Sequence, residues 1–269
     1  EALRFIINTS TSSPSSIMPK YYITTPIYYV NGKPHIGSAY TTIIADVVAR
    51  YHRLRGDEVY FLTGTDENSQ KNVEAAQKAG QDVQAYVDDM SRIWQDTFTA
   101  SEISFDDFIR TTEDRHKKAV EKFWHAVEAS GDIYLGEYEG LYCVGCEEFK
   151  QQSELVDGKC VLHQKEPNTI KEKNYFFRLT KYRDVLLEYI AKNPEFINPE
   201  ERRNEVKSYI ANFMTDVSIS RETMEWGITV PGNTKHVIYV WFDALINYLT
   251  GVGYGTDDLK FAKFWPADL

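Results

Sequence analysis

The chain has 269 residues, enough for one large domain or two of ordinary size, and 42% of them are hydrophobic and 26% charged. This composition is typical of a soluble globular protein, and no stretch approaches the roughly 20 apolar residues of a membrane helix. The most apolar segment, residues 237–249, is interrupted by Asp243 and Asn247. Without a membrane helix, a membrane is not expected as a partner. A net charge of −10 argues against a surface that mainly binds nucleic-acid phosphates, so DNA is not expected as a partner either.

Residues 1–17 are rich in serine and threonine and contain a single arginine. They lack the Arg-rich, amphipathic character of a targeting peptide, so they predict a disordered leader, with the folded part starting at Met18. A cytoplasmic protein is therefore expected, and an organellar form stays open.

The first predicted elements form a strand–helix–strand unit. Residues 20–30 (KYYITTPIYYV) predict a strand that runs into a turn at Asn31 and Gly32, and residues 58–63 (EVYFLT) predict a second strand. Between them, apolar residues spaced by three and four predict a helix with one apolar face, capped at its start by Ser38. This face consists of Tyr40, Ile43, Ile44, Val47, Val48, Tyr51 and Leu54. A βαβ unit of this length implies an α/β protein with a parallel, doubly wound sheet.

The rest of the chain divides into helical patterns and a region of different character. Short strands, glycines and a cysteine pair fill residues 130–157, a strand is predicted at 175–179, and residues 237–249 predict a strand feeding a helix. Helical patterns cover residues 73–79, 83–97, 113–129, 181–193 and 199–213. The predicted segments are the leader at 1–17, the first half of the α/β domain at 18–129, an inserted module at 130–225, and the start of the second half at 226–269.

Three cysteines and a histidine form two close pairs, Cys143-x2-Cys146 and Cys160-x2-His163, separated by thirteen residues. Thiolate and imidazole ligands in this spacing are what tetrahedral zinc takes, and a site filled by four protein ligands is structural. An odd cysteine count argues against a secreted disulfide framework. The alternative is three buried thiols and a surface histidine whose pairing is coincidental.

A candidate phosphate site follows the first strand, where His35, Gly37 and Ser38 stand at the start of the helix. Helix N-termini bind phosphates through free backbone N–H groups, glycine permits close approach, and a histidine can donate to a phosphate oxygen. In open α/β sheets, ligands bind beyond the carboxyl ends of the strands, where this corner falls. The alternatives are a turn histidine without function and a serine that only caps the helix.

A candidate amino-acid site combines a carboxylate with an apolar stripe. Asp66 ends the second strand, where it can pair with a substrate ammonium group or cap the following helix. In YVWFDALINYL, four residues share one helical face, which either belongs to the core or lines a pocket suited to a thioether. They are Trp241, Ala244, Leu245 and Tyr248.

Four segments together resemble the methionyl group of the class I aminoacyl-tRNA synthetases, and the resemblance covers nearly the whole chain from Lys20 onward. They are PHIGSAYTT preceded by TTPIYYVNG, then TGTDE, ISR followed by WG, and YVWFDALINYL. Ser38 stands where most members have a second histidine, and Asn68-Ser69-Gln70 stands where many relatives have His-Gly. The resemblance implies a Rossmann-type sheet interrupted by a zinc-binding connective module.

The resemblance also implies roles for individual residues. Asp66 would bind the α-amino group of methionine, and Arg221 would stabilise charge on the phosphates of ATP. For Arg221 a surface salt bridge with Glu222 or Glu225 remains the alternative. The implied methionine pocket consists of Ile27, Tyr29, Asp66, Trp241, Ala244, Leu245 and Tyr248, and the implied zinc ligands are Cys143, Cys146, Cys160 and His163.

The implied reaction is activation of methionine with Mg²⁺-bound ATP, followed by transfer to tRNA(Met), with His35, Ser38 and Arg221 acting on the phosphates. The family's second ATP signature and its anticodon-binding domain would lie beyond Leu269, so we expect this chain to be unable to complete the reaction. A sister class I synthetase for leucine, isoleucine, valine or cysteine is one alternative. A non-catalytic, zinc-containing binding module is another.

Overall fold

The computed structural model describes residues 18–146, 148–150, 152–222 and 224–269, and the predicted leader lies outside them. A parallel βαβ unit opens the fold: β1 (Lys20–Thr24), helix α1 (Ile36–Leu54) and β3 (Glu58–Asp66). β1 runs parallel to β3, with Lys20 opposite Glu58. The predicted strand–helix–strand unit is therefore confirmed.

The prediction of a single strand at residues 20–30 is wrong, because this segment forms two strands. The ladder stops after Thr24 and resumes as β2 (Tyr28–Tyr29), which pairs further along β3. Pro26 lies in the break, and proline has no N–H to donate to a ladder. A fourth strand that the sequence did not predict, β4 (Asp107–Arg110), pairs in parallel with the opposite edge of β3.

Helix α1 has the predicted span but not the predicted orientation. Its cap is His35 rather than Ser38, which lies in the first turn. The apolar face is exposed, with Tyr40, Val47 and Leu54 among the most exposed large side chains. The residues that α1 buries are small or polar: Ser38, Thr42, Ala45, Asp46 and Ala49. The spacing of apolar residues thus predicted the helix correctly but says nothing about which face meets the sheet.

Three further helices follow in this half of the chain: α2 (Gln70–Ala79), α3 (Val83–Ala100) and α4 (Asp114–Ala129). α3 buries Trp94 and Phe98 in a cluster with Ile23 and Phe61 of the parallel sheet. α4 places the fully buried Trp124 in a second cluster, which includes β1, β3 and the last third of the chain. The sheet therefore has an apolar cluster on each face.

An antiparallel sheet follows α4, and its two main strands are long where the sequence predicted short ones. β5 (Ile133–Cys143) pairs along its length with β9 (Asn168–Phe177). The outer strands of this sheet are β6 (Glu148–Lys150) and β10 (Val217–Ser218). Between β6 and β9 lies a two-stranded ribbon of β7 (Leu155–Val156) and β8 (Lys159–Cys160).

The rest of the chain forms helices and a small antiparallel sheet, and its apolar residues pack against the parallel sheet. Two helices, α5 (Arg183–Lys192) and α6 (Glu200–Asn212), precede a three-stranded antiparallel sheet of β11 (Ser220–Arg221), β12 (Thr229–Val230) and β13 (Asn233–Ile238). β13 feeds α7 (Val240–Ala244), as predicted, but the helix breaks before α8 (Asn247–Thr250). The last helix is α9 (Asp258–Phe264). No helix in the described ranges is long and apolar enough to cross a membrane.

Candidate functional site

The helix corner after β2 is organised by a reciprocal cap. The His35 imidazole accepts a hydrogen bond from the Gly37 N–H through Nδ1 at 3.1 Å. The Ser38 hydroxyl accepts from the His35 N–H at 3.1 Å and donates to the His35 carbonyl at 2.7 Å. A neutral His35 therefore carries its proton on Nε2, which can donate to a ligand. The single proton of Ser38 is already used within the cap.

Gly37 is required at this corner by the position of the His35 ring. A Cβ atom at residue 37 would lie 3.0 Å from the ring carbon Cε1 and 3.1 Å from Nδ1. Any larger residue would push the imidazole away from its cap position. The predicted grouping of His35, Gly37 and Ser38 is thus a cap that fixes the direction of one histidine.

The carboxylate and the aromatic residues predicted for the amino-acid site lie side by side. In the β2–β3 ladder Tyr29 is the direct neighbour of Asp66. The Trp241 ring meets the Tyr29 ring edge-on, with 6.5 Å between centroids. Ile27 and Tyr29 also pack on a buried cluster that contains Tyr239, Val240 and Ala244. The parallel ladder therefore brings a buried carboxylate next to a cluster of apolar and aromatic side chains.

The other predicted pocket residues differ in exposure because the helix that carries them is short. Ala244 is buried, whereas Trp241 is 47% and Leu245 54% exposed, so both present apolar surface to solvent. Tyr248 lies after the helix break, and its backbone carbonyl accepts from the Tyr22 hydroxyl at 2.6 Å. The stripe predicted from a continuous helix is thus divided between α7 and α8.

Asp66 is 4% exposed and belongs to the strand rather than to the next helix. The cap of α2 is Ser69, whose side chain accepts from the Asn72 N–H, so the alternative that Asp66 caps this helix is wrong. Asn72 in turn donates through Nδ2 to the Asp66 carbonyl at 3.0 Å. These bonds hold the backbone on both sides of the carboxylate.

Arg221 is buried rather than placed at the surface. Its guanidinium lies 3.9 Å from the centroid of the Tyr239 ring and 5.4 Å from that of Tyr142. It donates to the Ser218 hydroxyl at 2.9 Å and to the Ser220 carbonyl at 2.7 Å. Tyr239 belongs to the buried cluster on which Ile27 and Tyr29 pack. The permanent positive charge of Arg221 therefore lies in contact with this cluster.

Sequence reasoning missed a second acid at the site. Asp243 is fully buried in α7, and its Oδ2 accepts from Asn68 Nδ2 at 2.9 Å. Burial and the nearby Asp66 carboxylate raise the pKa of Asp243 well above its usual range. The available signal was the interruption of the apolar run at residues 237–249 by an aspartate.

A buried ion pair fixes the end of β3 and was also missed. The Glu67 carboxylate, with no exposed surface, accepts from Arg110 Nε at 2.8 Å and from Arg110 Nη2 at 3.0 Å. The hydroxyls of Thr65 and Thr112 donate to the same carboxylate. Trp226 Nε1 donates to the Glu67 carbonyl at 2.8 Å. The residue after Asp66 is thereby fixed by its side chain and its backbone.

The four predicted metal ligands converge at the ends of β5 and β8, where they could hold a metal ion. One ligand atom from each of Cys143, Cys146, Cys160 and His163 lies within 4.8 Å of all the others. The Cys146 Sγ is 3.5 Å from the Cys160 Sγ and 3.3 Å from His163 Nδ1. A tetrahedral zinc site with metal–sulfur bonds near 2.3 Å separates its sulfurs by about 3.8 Å, so these atoms fit around one ion.

Gly145 makes the tight turn of this cluster possible. A Cβ at residue 145 would lie 2.5 Å from two atoms of the His163 ring, which is closer than real contacts allow. The turn between Cys143 and Cys146 can therefore pass directly over the imidazole only if it carries no side chain. The cluster can hold a metal ion, and its three cysteines are not joined by disulfides.

Comparison with known proteins agrees with these features. The family model described as tRNA synthetases class I (M) matches residues 21–153 and 146–269. The chain belongs to this family. A methionine–tRNA ligase from Thermotoga maritima is 48% identical over 254 residues, and one from Rickettsia bellii is 52% identical over 249 residues. Each alignment covers 93% of this chain, but the chain spans only 40% and 49% of those relatives.

Solved structures of the same family superpose closely. Two structures of Mycobacterium tuberculosis methionyl-tRNA synthetase with bound methionyl-adenylate give TM-scores of 0.90 and 0.89 at 46% sequence identity. Both cover 93% of this chain, which spans 50% of theirs. The predicted α/β fold with a parallel sheet and the predicted family are confirmed.

Proposed function

We propose that the protein carrying this chain activates methionine with ATP and transfers it to tRNA(Met). The observation that carries the proposal is the position of Asp66, a buried carboxylate next to Tyr29 in the ladder, whose ring meets Trp241. A carboxylate at the end of an apolar, aromatic pocket suits a ligand with an ammonium group and a thioether side chain. The relatives and the solved structures of the family support this choice of amino acid.

The pocket would bind methionine through two kinds of contact. The Asp66 carboxylate would accept from the α-amino group, as a charge-assisted hydrogen bond. The side chain would contact apolar and aromatic surface, where sulfur packs well against ring edges. We assign this surface to Ile27, Tyr29, Trp241, Ala244, Leu245 and Tyr248.

The helix corner would bind ATP. His35 would donate from Nε2 to a phosphate oxygen, while Gly37 leaves the start of α1 open to the nucleotide. Ser38 would act by holding His35 in its cap. Arg221 would contribute its permanent charge from behind Tyr239, and Mg²⁺ would bind together with ATP. Activation then needs no nucleophilic side chain, because the methionine carboxylate itself attacks the α-phosphate and pyrophosphate leaves.

The cysteine–histidine cluster would hold one structural zinc ion. Three thiolates and one imidazole fill all four positions of a tetrahedral site, which leaves none for a substrate. The region from residue 130 to residue 225 would then form a connective module inserted between the halves of a Rossmann-type domain. Zinc would stabilise the turns at the tip of this module.

Pyrophosphate exchange tests the activity in the protein that carries this chain. We expect exchange driven by methionine and not by leucine, isoleucine, valine or cysteine. Trp241→Ala should weaken methionine binding about tenfold, because it removes one aromatic wall of the pocket. The exposed Leu259→Ala on α9 serves as the control and should bind like the parent protein.

Three other results would each change the assignment. Exchange driven by a different amino acid would retain the class I chemistry but overturn the pocket assignment. If folded, zinc-loaded protein showed no exchange, a zinc-containing binding module would become the better interpretation. Equal weakening by Trp241→Ala and Leu259→Ala would show that Trp241 does not line the pocket.

A further inference from the structure

Asp243 has a buried carboxylate oxygen that the protein itself does not satisfy. Its Oδ2 accepts from Asn68, but among the described residues its Oδ1 has no hydrogen-bond partner. No ion pair among these residues involves Asp243 either. A buried acceptor left without a donor costs free energy, and a buried unpaired charge costs more. This oxygen would therefore be stabilised by a ligand that donates a hydrogen bond to it.

A second buried acceptor near Asp66 also lacks a donor. Asn72 has no exposed surface and donates through Nδ2 to the Asp66 carbonyl, but its Oδ1 has no partner in the described part of the chain. Asn72 lies on α2 and Asp243 on α7, so the two unsatisfied oxygens come from separate elements. Both are acceptors, which points to a group rich in N–H donors.

Asp243 also lies beside the residues predicted for the amino-acid site. It directly precedes Ala244, which belongs to the pocket cluster, and follows Trp241 by two residues. Its carboxyl group is close enough to Asp66 for the charge of Asp66 to raise its pKa. The two acids thus belong to one electrostatic unit, although one comes from the parallel sheet and the other from a helix beyond the antiparallel sheets.

We propose that Asp243 is a second amino-group ligand, which binds the α-ammonium group of the amino-acid substrate together with Asp66. An ammonium group has three N–H donors, so it can donate to two carboxylates and to one further acceptor. Its positive charge also removes the repulsion between the two acids. This inference rests on the proposed function, since it assumes that the pocket takes an amino acid.

The protonation of the free site follows from the same geometry. Without a cation, two neighbouring buried carboxylates share one proton, and the raised pKa of Asp243 agrees with this state. When the ammonium group binds, that proton leaves for the solvent and both acids are ionised. Two other titratable groups near the site, the buried His116 and the partly buried Tyr248, do not exchange protons near neutral pH. Burial lowers the pKa of His116 to about 3 and raises the pKa of Tyr248.

Calorimetric titration of the protein that carries this chain with methionine and with desamino-methionine, which lacks only the α-amino group, tests the proposal. Asp243→Asn keeps the shape of the side chain and should weaken methionine binding about 30-fold, while the affinity for desamino-methionine stays unchanged or rises. Asp132→Asn, which alters an equally buried aspartate that pairs with Lys181, is the control for a general loss of stability.

A measurement on the unaltered chain keeps the proposal testable if Asp243→Asn does not fold. Binding enthalpies in buffers of different ionisation enthalpy should show that methionine binding releases a proton and that desamino-methionine binding does not. Equal weakening of both ligands by Asp243→Asn, or no proton release with methionine, would overturn the role of Asp243. Failure of the unaltered protein that carries this chain to bind any amino acid would overturn the proposed function as well.

Discussion

His116 is the most completely enclosed ionisable ring near the site, and burial keeps it neutral. It lies on α4 with no exposed surface, and its Nδ1 is 3.3 Å from the Thr250 hydroxyl. Burial lowers its pKa from 6.5 to about 3, since a charged imidazole would lose its hydration there. The histidine therefore acts as a structural link between α4 and α8 rather than as a proton carrier.

The free energy of unfolding should fall as the pH drops from 6.5 towards 3. In this range the unfolded chain binds a proton at His116 and the folded chain does not, so acid favours unfolding by at most about 5 kcal/mol. Urea denaturation at several pH values measures the slope. His116→Asn should reduce it, and an unchanged slope in this variant would assign the acid sensitivity to other groups. Asp243 contributes the opposite sign, because its raised pKa favours the folded chain at low pH.

Single residues were predictable from sequence where chemistry and spacing act together. The four candidate metal ligands were recognised because cysteine and histidine, both zinc ligands, occur in two close pairs with the same spacing, and the structure brings them together. Asp243 and Glu67 were not found, because a lone carboxylate in a sequence does not reveal what lies around it. Their importance depends on contacts with Asn68 and Arg110, which are distant from them in the sequence or on another strand.

At the scale of elements, the fold of the β7–β8 ribbon depends on the cysteine–histidine cluster. It joins the end of β5 to the ribbon of β7 and β8, which has only two residues in each strand. Such short strands bury little apolar area, so they cannot hold their own fold. The turns at this tip are therefore expected to be ordered by metal coordination.

Removal of zinc by a chelator should loosen the tip locally. We expect faster amide hydrogen exchange at residues 141–164, while the parallel sheet keeps its protection, because the two regions share few contacts. His163→Ala should reproduce the effect without chelator, and the neighbouring Gln164→Ala should not. Loss of protection throughout the chain in zinc-free protein would mean that the metal stabilises the whole fold.

Periodicity predicted the existence of elements better than their surroundings. The βαβ unit, the helices after it and the strand that feeds α7 all follow from local patterns. The pairing of β5 with β9 and the presence of β4 do not, because these ladders join segments whose own sequences carry weak strand signals. The helix break between α7 and α8 was also missed, since the residues at 245 and 246 are apolar and carry no turn signal.

At the scale of the whole molecule, one tryptophan connects the regions of the chain. Trp124 of α4 is fully buried and meets the Tyr175 ring of β9 at 5.5 Å and the Phe242 ring of α7 at 5.7 Å between centroids. The antiparallel sheet and the pocket helix therefore pack on the same side chain. A change at this position should affect the stability of the fold and the pocket together.

Trp124→Ala should lower the free energy of unfolding by about 3 to 5 kcal/mol, because it leaves a large cavity in a packed core. Trp241→Ala is the matched control, since this side chain is 47% exposed and its loss should cost less than about 1 kcal/mol. Urea denaturation followed by circular dichroism measures both. Similar losses for the two variants would show that Trp124 is not the connection described above.

The outward apolar face of α1 gives the molecule an unusual response to salt. The helix is held to the rest of the chain in part by charged groups, since Arg53 pairs with Asp106, and Arg50, which pairs with Asp46 of the same helix, donates to the Glu102 carbonyl. Added salt screens these ion pairs, and sulfate or phosphate at the same time strengthens the tendency of the exposed face to associate. A higher ionic strength therefore weakens the contacts of the helix that His35 caps, and it promotes association through the exposed apolar face of this helix. Both effects act on the corner to which we assign ATP.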